Sequence, residues 1–169
     1  MQSYDPYELM MIPPNKKTEM VVSELKKIKT NLSIVNDLIA LGADLDWKDE
    51  DGWTALHWCA RLNHPEIARM LIEAGADLNI QDESGNTALH WCVSYNHLEI
   101  AKMLIDAGAD LNIQNDLGWT ALHWCVFWNR LEIAKKLIDA GADKTISNNN
   151  GKLPYNFADT QELKELLKV

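Results

Sequence analysis

A stretch of 33 residues is written three times in this chain with little change, and that repetition limits how it can fold more than any other feature. Gly52 opens GWTALHWCARLNHPEIARMLIEAGADLNIQDES, Gly85 opens GNTALHWCVSYNHLEIAKMLIDAGADLNIQNDL, and Gly118 opens GWTALHWCVFWNRLEIAKKLIDAGADKTISNNN. Neighbouring copies match at 23 of 33 positions. A unit this short cannot bury an apolar face alone; stacking copies buries a continuous core.

The local chemistry of each unit spells two helices. Thr54, Thr87 and Thr120 stand before the run A-L-H-W-C, where a hydroxyl caps a helix N-terminus. Asn63, Asn96 and Asn129 follow that run, and asparagine tolerates the left-handed backbone that ends a helix. A second helix is expected over about 65–74, with Ile67, Ala68, Leu71 and Ile72 on one stripe. Gly75, Gly108 and Gly141 then serve as C-terminal caps. The Asp-, Asn-, Ser- and Gly-rich segment 77–85 reads as turns.

The unit resembles the ankyrin repeat: 33 residues, T-x-L-H, E-I-A-x-x-L-I and a closing G-A-D-L-N. The resemblance covers about residues 18–169. It implies an all-α ankyrin-repeat solenoid, with stacked helix-turn-helix units joined by β-hairpin-like loops. Ala55, Ala88 and Ala121 replace the proline usual after the threonine, which Pro154 keeps; proline suits a first helical turn. Asparagine also replaces the glycine usual at positions 63, 96 and 129.

One period before Gly75 stands Gly42, so residues 18–51 read as a diverged N-terminal capping unit. Its helices are expected over about 18–29 and 32–41. Glu19, Glu24, Lys26, Lys27 and Lys29 suit a face turned to water. Residues 52–84, 85–117 and 118–150 are full repeats, and 151–169 is a truncated C-terminal cap with short helices over about 154–158 and 161–168. Residues 1–17 lack periodicity and hold Pro6, Pro13 and Pro14, giving an extended or disordered tail. Tyr4, Tyr7, Leu9, Met10, Met11 and Ile12 make it apolar, and the alternative is that they pack on this chain or another.

Positions that change between copies do something the shared scaffold does not need. One changing cluster lies at the hairpin tips, with Trp53, Asn86 and Trp119. A second closes each first helix: Arg61 and Leu62, Ser94 and Tyr95, Phe127 and Trp128. Trp58, Trp91 and Trp124 lie three and four residues earlier on the same helix face. In the family this face and the tips line the concave side, where partners bind. The resemblance therefore implies a partner-binding set of Trp53, Trp58, Arg61, Leu62, Asn86, Trp91, Ser94, Tyr95, Trp119, Trp124, Phe127 and Trp128. Trp58, Trp91 and Trp124 do not vary, and packing between units is their alternative role. Tryptophan and tyrosine are enriched at interface hot spots.

The net charge is −9, which disfavours nucleic acid and anionic membrane surfaces. Residues 1–117 carry −10 and residues 118–169 carry +1. Acids cluster around the first hairpins, so a partner segment with basic and apolar residues would be complementary. No apolar run is long enough to span a bilayer, and residues 1–14 do not read as a secretory signal.

His57, His90 and His123 each precede a cysteine by two residues: Cys59, Cys92 and Cys125. Units stack about 10 Å apart, while zinc ligands lie at ~2.0–2.3 Å, so no metal is expected. The same spacing forbids disulfides. In the family that histidine hydrogen-bonds within the turn network. Free, buried thiols fit a reducing compartment. His64 and His97 give way to Arg130 in the third copy, which no repeated catalytic site would survive. H-E-x-x-H, G-x-S-x-G and glycine-rich phosphate loops are absent. No enzyme activity and no cofactor are expected. Asn79 and Asn112 match the leucine, five residues, D-x-N pattern of ankyrin asparagines that can be hydroxylated; turn geometry is the alternative reason for them.

The sequence thus predicts a monomeric, non-catalytic protein-protein interaction module, acting as adaptor, inhibitor or scaffold through an aromatic, acid-ringed concave groove. A self-associating structural protein is the alternative. The setting expected is cytoplasmic or otherwise intracellular, and a viral or bacterial protein acting inside a host cell fits equally.

Overall fold

The computed structural model describes residues 10–27 and 31–168. Tyr4, Tyr7 and Leu9 of the expected tail, and Lys29 at the expected end of the first helix, lie outside the described residues. Helices pair along the chain: α1 (Pro14–Leu25) with α2 (Leu32–Ala40), α3 (Ala55–Leu62) with α4 (Pro65–Glu73), α5 (Ala88–Tyr95) with α6 (Leu98–Asp106), and α7 (Ala121–Phe127) with α8 (Leu131–Asp139). A 3-10 turn over Pro154–Phe157 and α9 (Gln161–Leu166) close the array. No strand occurs among the described residues. The first helices α1, α3, α5 and α7 pack in one row that the 3-10 turn continues, and α2, α4, α6 and α8 pack in a second. This is the expected all-α solenoid.

The core repeats with the sequence. Leu56, Leu89 and Leu122 of the first helices are buried, as are Ile67, Ile100 and Ile133 with Leu71, Leu104 and Leu137 of the second. Cys59, Cys92 and Cys125 are fully buried beside them as free thiols. Small Ala68, Ala101 and Ala134 let the two rows approach.

The helix ends follow the local rules. Thr54 is the N-cap of α3, and its backbone N–H donates to His57 Nδ1 at 3.1 Å; Thr87–His90 and Thr120–His123 repeat the arrangement at 3.2 Å. Asn63, Asn96 and Asn129 have φ of 59°, 61° and 53°. Asparagine visits that region more readily than other residues with a Cβ.

Each hairpin tip is closed by an N–H to C=O bond across five residues. Asp49–Trp53, Asp82–Asn86, Asn115–Trp119 and Asn148–Lys152 measure 2.8–3.0 Å. Gly85 has φ of 76°, and a Cβ there would lie 2.8 Å from the Asp116 backbone nitrogen. Glycine is required because the next tip packs directly on it, with Asp116 N–H donating to Ser84 C=O at 3.1 Å.

The N-terminal unit departs from expectation. Helix α1 begins at Pro14, four residues before Thr18, so residues 14–17 are helical and not part of an extended tail. Proline fixes the φ of a first helical turn and lacks a donor the turn would leave unpaired. Lys17 is buried, with Nζ donating to Leu41 C=O at 2.7 Å, which satisfies the C-terminus of α2. Glu24 is also buried rather than turned to water; it pairs with Lys27 and accepts from Asn31 N–H at 3.4 Å. Ile12 packs against the core, whereas Met10 and Met11 are exposed.

Candidate functional site

The site grows from one position at the base of each hairpin tip, occupied by Asp49, Asp82, Asn115 and Asn148. In each, Oδ1 accepts two backbone N–H groups of the tip; for Asp82 they come from Ser84 and Asn86, both at 2.9 Å. The carboxylates have a second oxygen to use. Asp49 Oδ2 accepts from Trp58 Nε1 and Asp82 Oδ2 from Trp91 Nε1, each at 2.9 Å. Asn115 instead donates Nδ2 to Asn86 Oδ1 at 2.9 Å. Trp58 and Trp91 are thereby fixed with one side against the core and the other toward solvent. Trp124 is likewise half-buried.

The indoles form a ladder along the first-helix row. Trp53 lies 4.9 Å from Trp58 and 4.7 Å from Trp91, and Trp91 meets Trp124 edge-on at 6.2 Å. Tyr95 stacks beside Trp91 at 6.1 Å. A second cluster joins Trp119 to Phe157 at 4.7 Å and to Phe127 at 5.3 Å, and Phe127 to Trp128 at 5.0 Å.

The structure sorts the expected binding residues by exposure. Tyr95, Phe127 and Trp128 are 44%, 52% and 48% exposed. Arg61 and Leu62 are exposed, and Ser94, Trp58, Trp91, Trp119 and Trp124 are intermediate. Trp53 and Asn86 are corrections: both are buried, because their position lies in the joint between successive units. Residues that sequence reasoning left out also join this face. Phe157 stands one period after Trp124, a register that would have identified it, and packs against Trp119. Trp47 lines an open cleft of about 610 Å³ with Glu19, Lys26 and Asp49.

His57, His90 and His123 occupy the joint between units. In each, Nδ1 faces the backbone N–H and hydroxyl of its threonine, and Nε2 lies 3.0–3.1 Å from a carbonyl of the following unit: Asn86, Trp119 and Lys152. Nδ1 accepts and Nε2–H donates, so the neutral ring is the form that fits. Burial pushes the pKa of His90 down to about 4, outweighing the Trp119 carbonyl and the Asp82 charge that favour the cation. Burial also lowers those of His57 and His123. Burial raises the thiol pKa values of Cys59, Cys92 and Cys125, which leaves them as thiols with little nucleophilic character.

His64, His97 and Arg130 share a different task. Each reaches a first-helix carbonyl of the preceding unit: Leu25 at 2.9 Å, Ala60 at 2.7 Å and Ser94 at 3.3 Å. Three donors of different type serve one joint, which explains the substitution of arginine for histidine. Asn79 and Asn112 are exposed at the hairpin bases, where Oδ1 accepts from Asp110 and Asp143 N–H at 2.8 and 2.9 Å. Asp46 does the same for Asp77 at 2.8 Å. Among the described residues no group of three or more His, Cys, Asp or Glu could hold a metal ion, and no helix is long and apolar enough to cross a membrane.

A family model described as ankyrin repeats, in three copies, matches residues 22–115, and a model of a single ankyrin repeat matches residues 117–149. A search of curated proteins returns no match.

Proposed function

The chain belongs to the ankyrin-repeat family, whose members are generally non-catalytic protein-binding modules, and from that premise we propose that it binds a partner protein through the face formed by its first helices and hairpin tips. The observation that carries this reading is the exposure, along the first-helix row, of Tyr95 beside the half-buried Trp91 and of Phe127 and Trp128 at the end of α7. Large aromatics contiguous on one face are unusual for a surface that meets only water, and they are the side chains that anchor interfaces. Their supports are rigid. Helix packing, tip hydrogen bonds and the indole–carboxylate pairs set the face before any partner arrives, which reduces the ordering cost of association.

In this reading the chain is an intracellular monomer working by docking, as an adaptor, inhibitor or scaffold. The test compares the native chain with a Tyr95→Ser, Phe127→Ser, Trp128→Ser variant in affinity capture from lysate, after circular dichroism has established that both fold. A control variant replaces Glu66, Arg69 and Glu73 on the outer helix α4 with serine. Loss of a captured protein with the aromatic variant alone supports the reading. Equal capture by all three chains, or loss only with the outer-helix variant, overturns it. If the captured protein is a second copy of this chain, self-association replaces the reading.

A further inference from the structure

We infer that the binding face has a direction, and that its partner is a segment carrying a large apolar side chain over the Phe127–Trp128 end and lysine or arginine over the Trp47–Trp53 end. This rests on the reading of that face as the docking surface, and it specifies the chemistry of the occupant.

The two ends of the face differ in what already covers their aromatics. At the N-terminal end Lys26 Nζ sits 3.9 Å from the Trp58 ring centre, and the Arg61 guanidinium lies 5.2 Å from Trp53 and 5.6 Å from Trp58. The chain's own cations fill these π-faces, so an apolar anchor finds little bare ring there. At the other end Phe127 and Trp128 are exposed, and among the described residues no cation lies over them. Position 61 is arginine in the first full unit, Ser94 in the second and Phe127 in the third, so the repeat itself grades from cationic to apolar.

Charge runs the opposite way. Glu50, Asp51, Glu83 and Asp116 are exposed at successive tips, and none forms an ion pair among the described residues. Beneath them lie two open clefts. One is lined by Asp49, Glu50 and Asp51 beside Trp47, with Lys26, Lys48 and the Lys16-paired Glu19 at its edge; the other, of about 290 Å³, carries Asp51, Asp82 and Glu83 beside Trp53 and Trp91. The carboxylate rim beside the indoles of Trp47 and Trp91, over which no cation of the chain lies among the described residues, matches a lysine or arginine, whose aliphatic stem lies on the ring while the head stays among the acids. The third and fourth units offer no such excess of acid, since residues 118–169 carry +1. The two ends are separated by about two repeat steps, roughly 20 Å at the ~10 Å spacing of packed helices. An extended segment covers that in about six residues.

The test selects 12-residue peptides displayed on phage against the full chain, then measures affinities by fluorescence anisotropy. Enriched peptides are expected to hold an aromatic or large aliphatic residue and two or more Lys or Arg about six positions away. Phe127→Ser with Trp128→Ser should weaken them about tenfold or more. Glu50→Gln, Asp51→Asn and Glu83→Gln together should weaken them about fivefold at low salt and flatten the salt dependence. Lys→Gln changes in the peptide should reproduce that loss without altering the protein. A spin label at the basic end should broaden the indole signals of Trp47 and Trp58 and spare Trp128. Binding that needs Phe127 and Trp128 but ignores both charge changes, or a label that broadens Trp128 instead, overturns the direction while leaving the docking surface standing. Peptides indifferent to both variants, or no enrichment, overturn both.

Discussion

His90 Nε2 lies 3.1 Å from the carbonyl oxygen of Trp119, so a side chain of one repeat is fastened to the backbone of the next. The same histidine accepts through Nδ1 from Thr87, which leaves no lone pair for a second proton without breaking the helix cap.

That geometry sets a pH dependence. The histidine pKa is lowered on folding, so below the unfolded value near 6.5 the unfolded chain binds protons that the folded chain refuses. Stability is therefore full above about pH 7 and falls as pH drops from 6.5 towards 4. His90 alone contributes up to about 3 kcal/mol across that window, and His57 and His123 add in the same direction. Urea midpoints measured from pH 8 to 4 should decline from about pH 6.5. A decline that starts only below pH 5 would assign acid sensitivity to carboxylates instead.

Trp53 and Trp128 should separate stability from binding. Trp53 is 8% exposed and wedged between Trp58 and Trp91, so Trp53→Ala should cost about 3–5 kcal/mol. Trp128 is 48% exposed, and Trp128→Ala should shift stability by no more than about 1 kcal/mol. Thermal melts read by far-ultraviolet circular dichroism rank the two; similar losses would show that Trp128 is part of the core.

Two glycines with nearly equal φ should respond differently to alanine. Gly75, at 88°, has open space where a methyl group would sit, whereas at Gly85, at 76°, the methyl would lie 2.8 Å from Asp116 N. Gly75→Ala should cost about 1–2 kcal/mol for the left-handed backbone alone. Gly85→Ala should cost more than that and should raise amide exchange at Asp116, because the stacked tips must part. Equal losses in urea melts would mean that the tips separate freely.

The repeat, its caps and its buried stripes were legible because each is a local rule copied at a fixed period. Thr54, Asn63 and Gly75 announce helix ends through their own chemistry, whatever surrounds them. The face was less legible. Variation between copies pointed to Trp53 and Asn86 as partner-facing, yet variation inside a repeat array also answers to the next unit. Trp53 varies with Trp91 against it, Asn86 with Asn115 hydrogen-bonded to it, and Trp119 with Phe157 against it. The start of α1 was obscured for another reason. Pro13 and Pro14 read as chain breakers, whereas Pro14 opens the helix; the buried Lys17 is hydrogen-bonded to a carbonyl 24 residues away, and the buried Glu24 is paired with Lys27 across a helix turn.

The fourth unit lacks a pairing that the first two full joints have, and it should accept one. Asn148 is 4% exposed, and its Nδ2 has no hydrogen-bond partner among the described residues, while Oδ1 is taken by the N–H groups of Asn150 and Lys152. Asp49 and Asp82 use that second atom to accept from a tryptophan nine residues on. Nine residues after Asn148 stands Phe157, which has no donor. Asn148→Asp alone should destabilise, since it buries a charge whose second oxygen has no donor among the described residues. Phe157→Trp alone brings a donor to an amide already facing it with hydrogens. Together they should rebuild the indole–carboxylate bond, with a favourable coupling of about 1–2 kcal/mol in a double-mutant cycle. Urea titration of the four proteins measures it. Additive effects would mean that the C-terminal cap, with its 3-10 turn in place of a full first helix, does not hold position 157 in the register of Trp58 and Trp91.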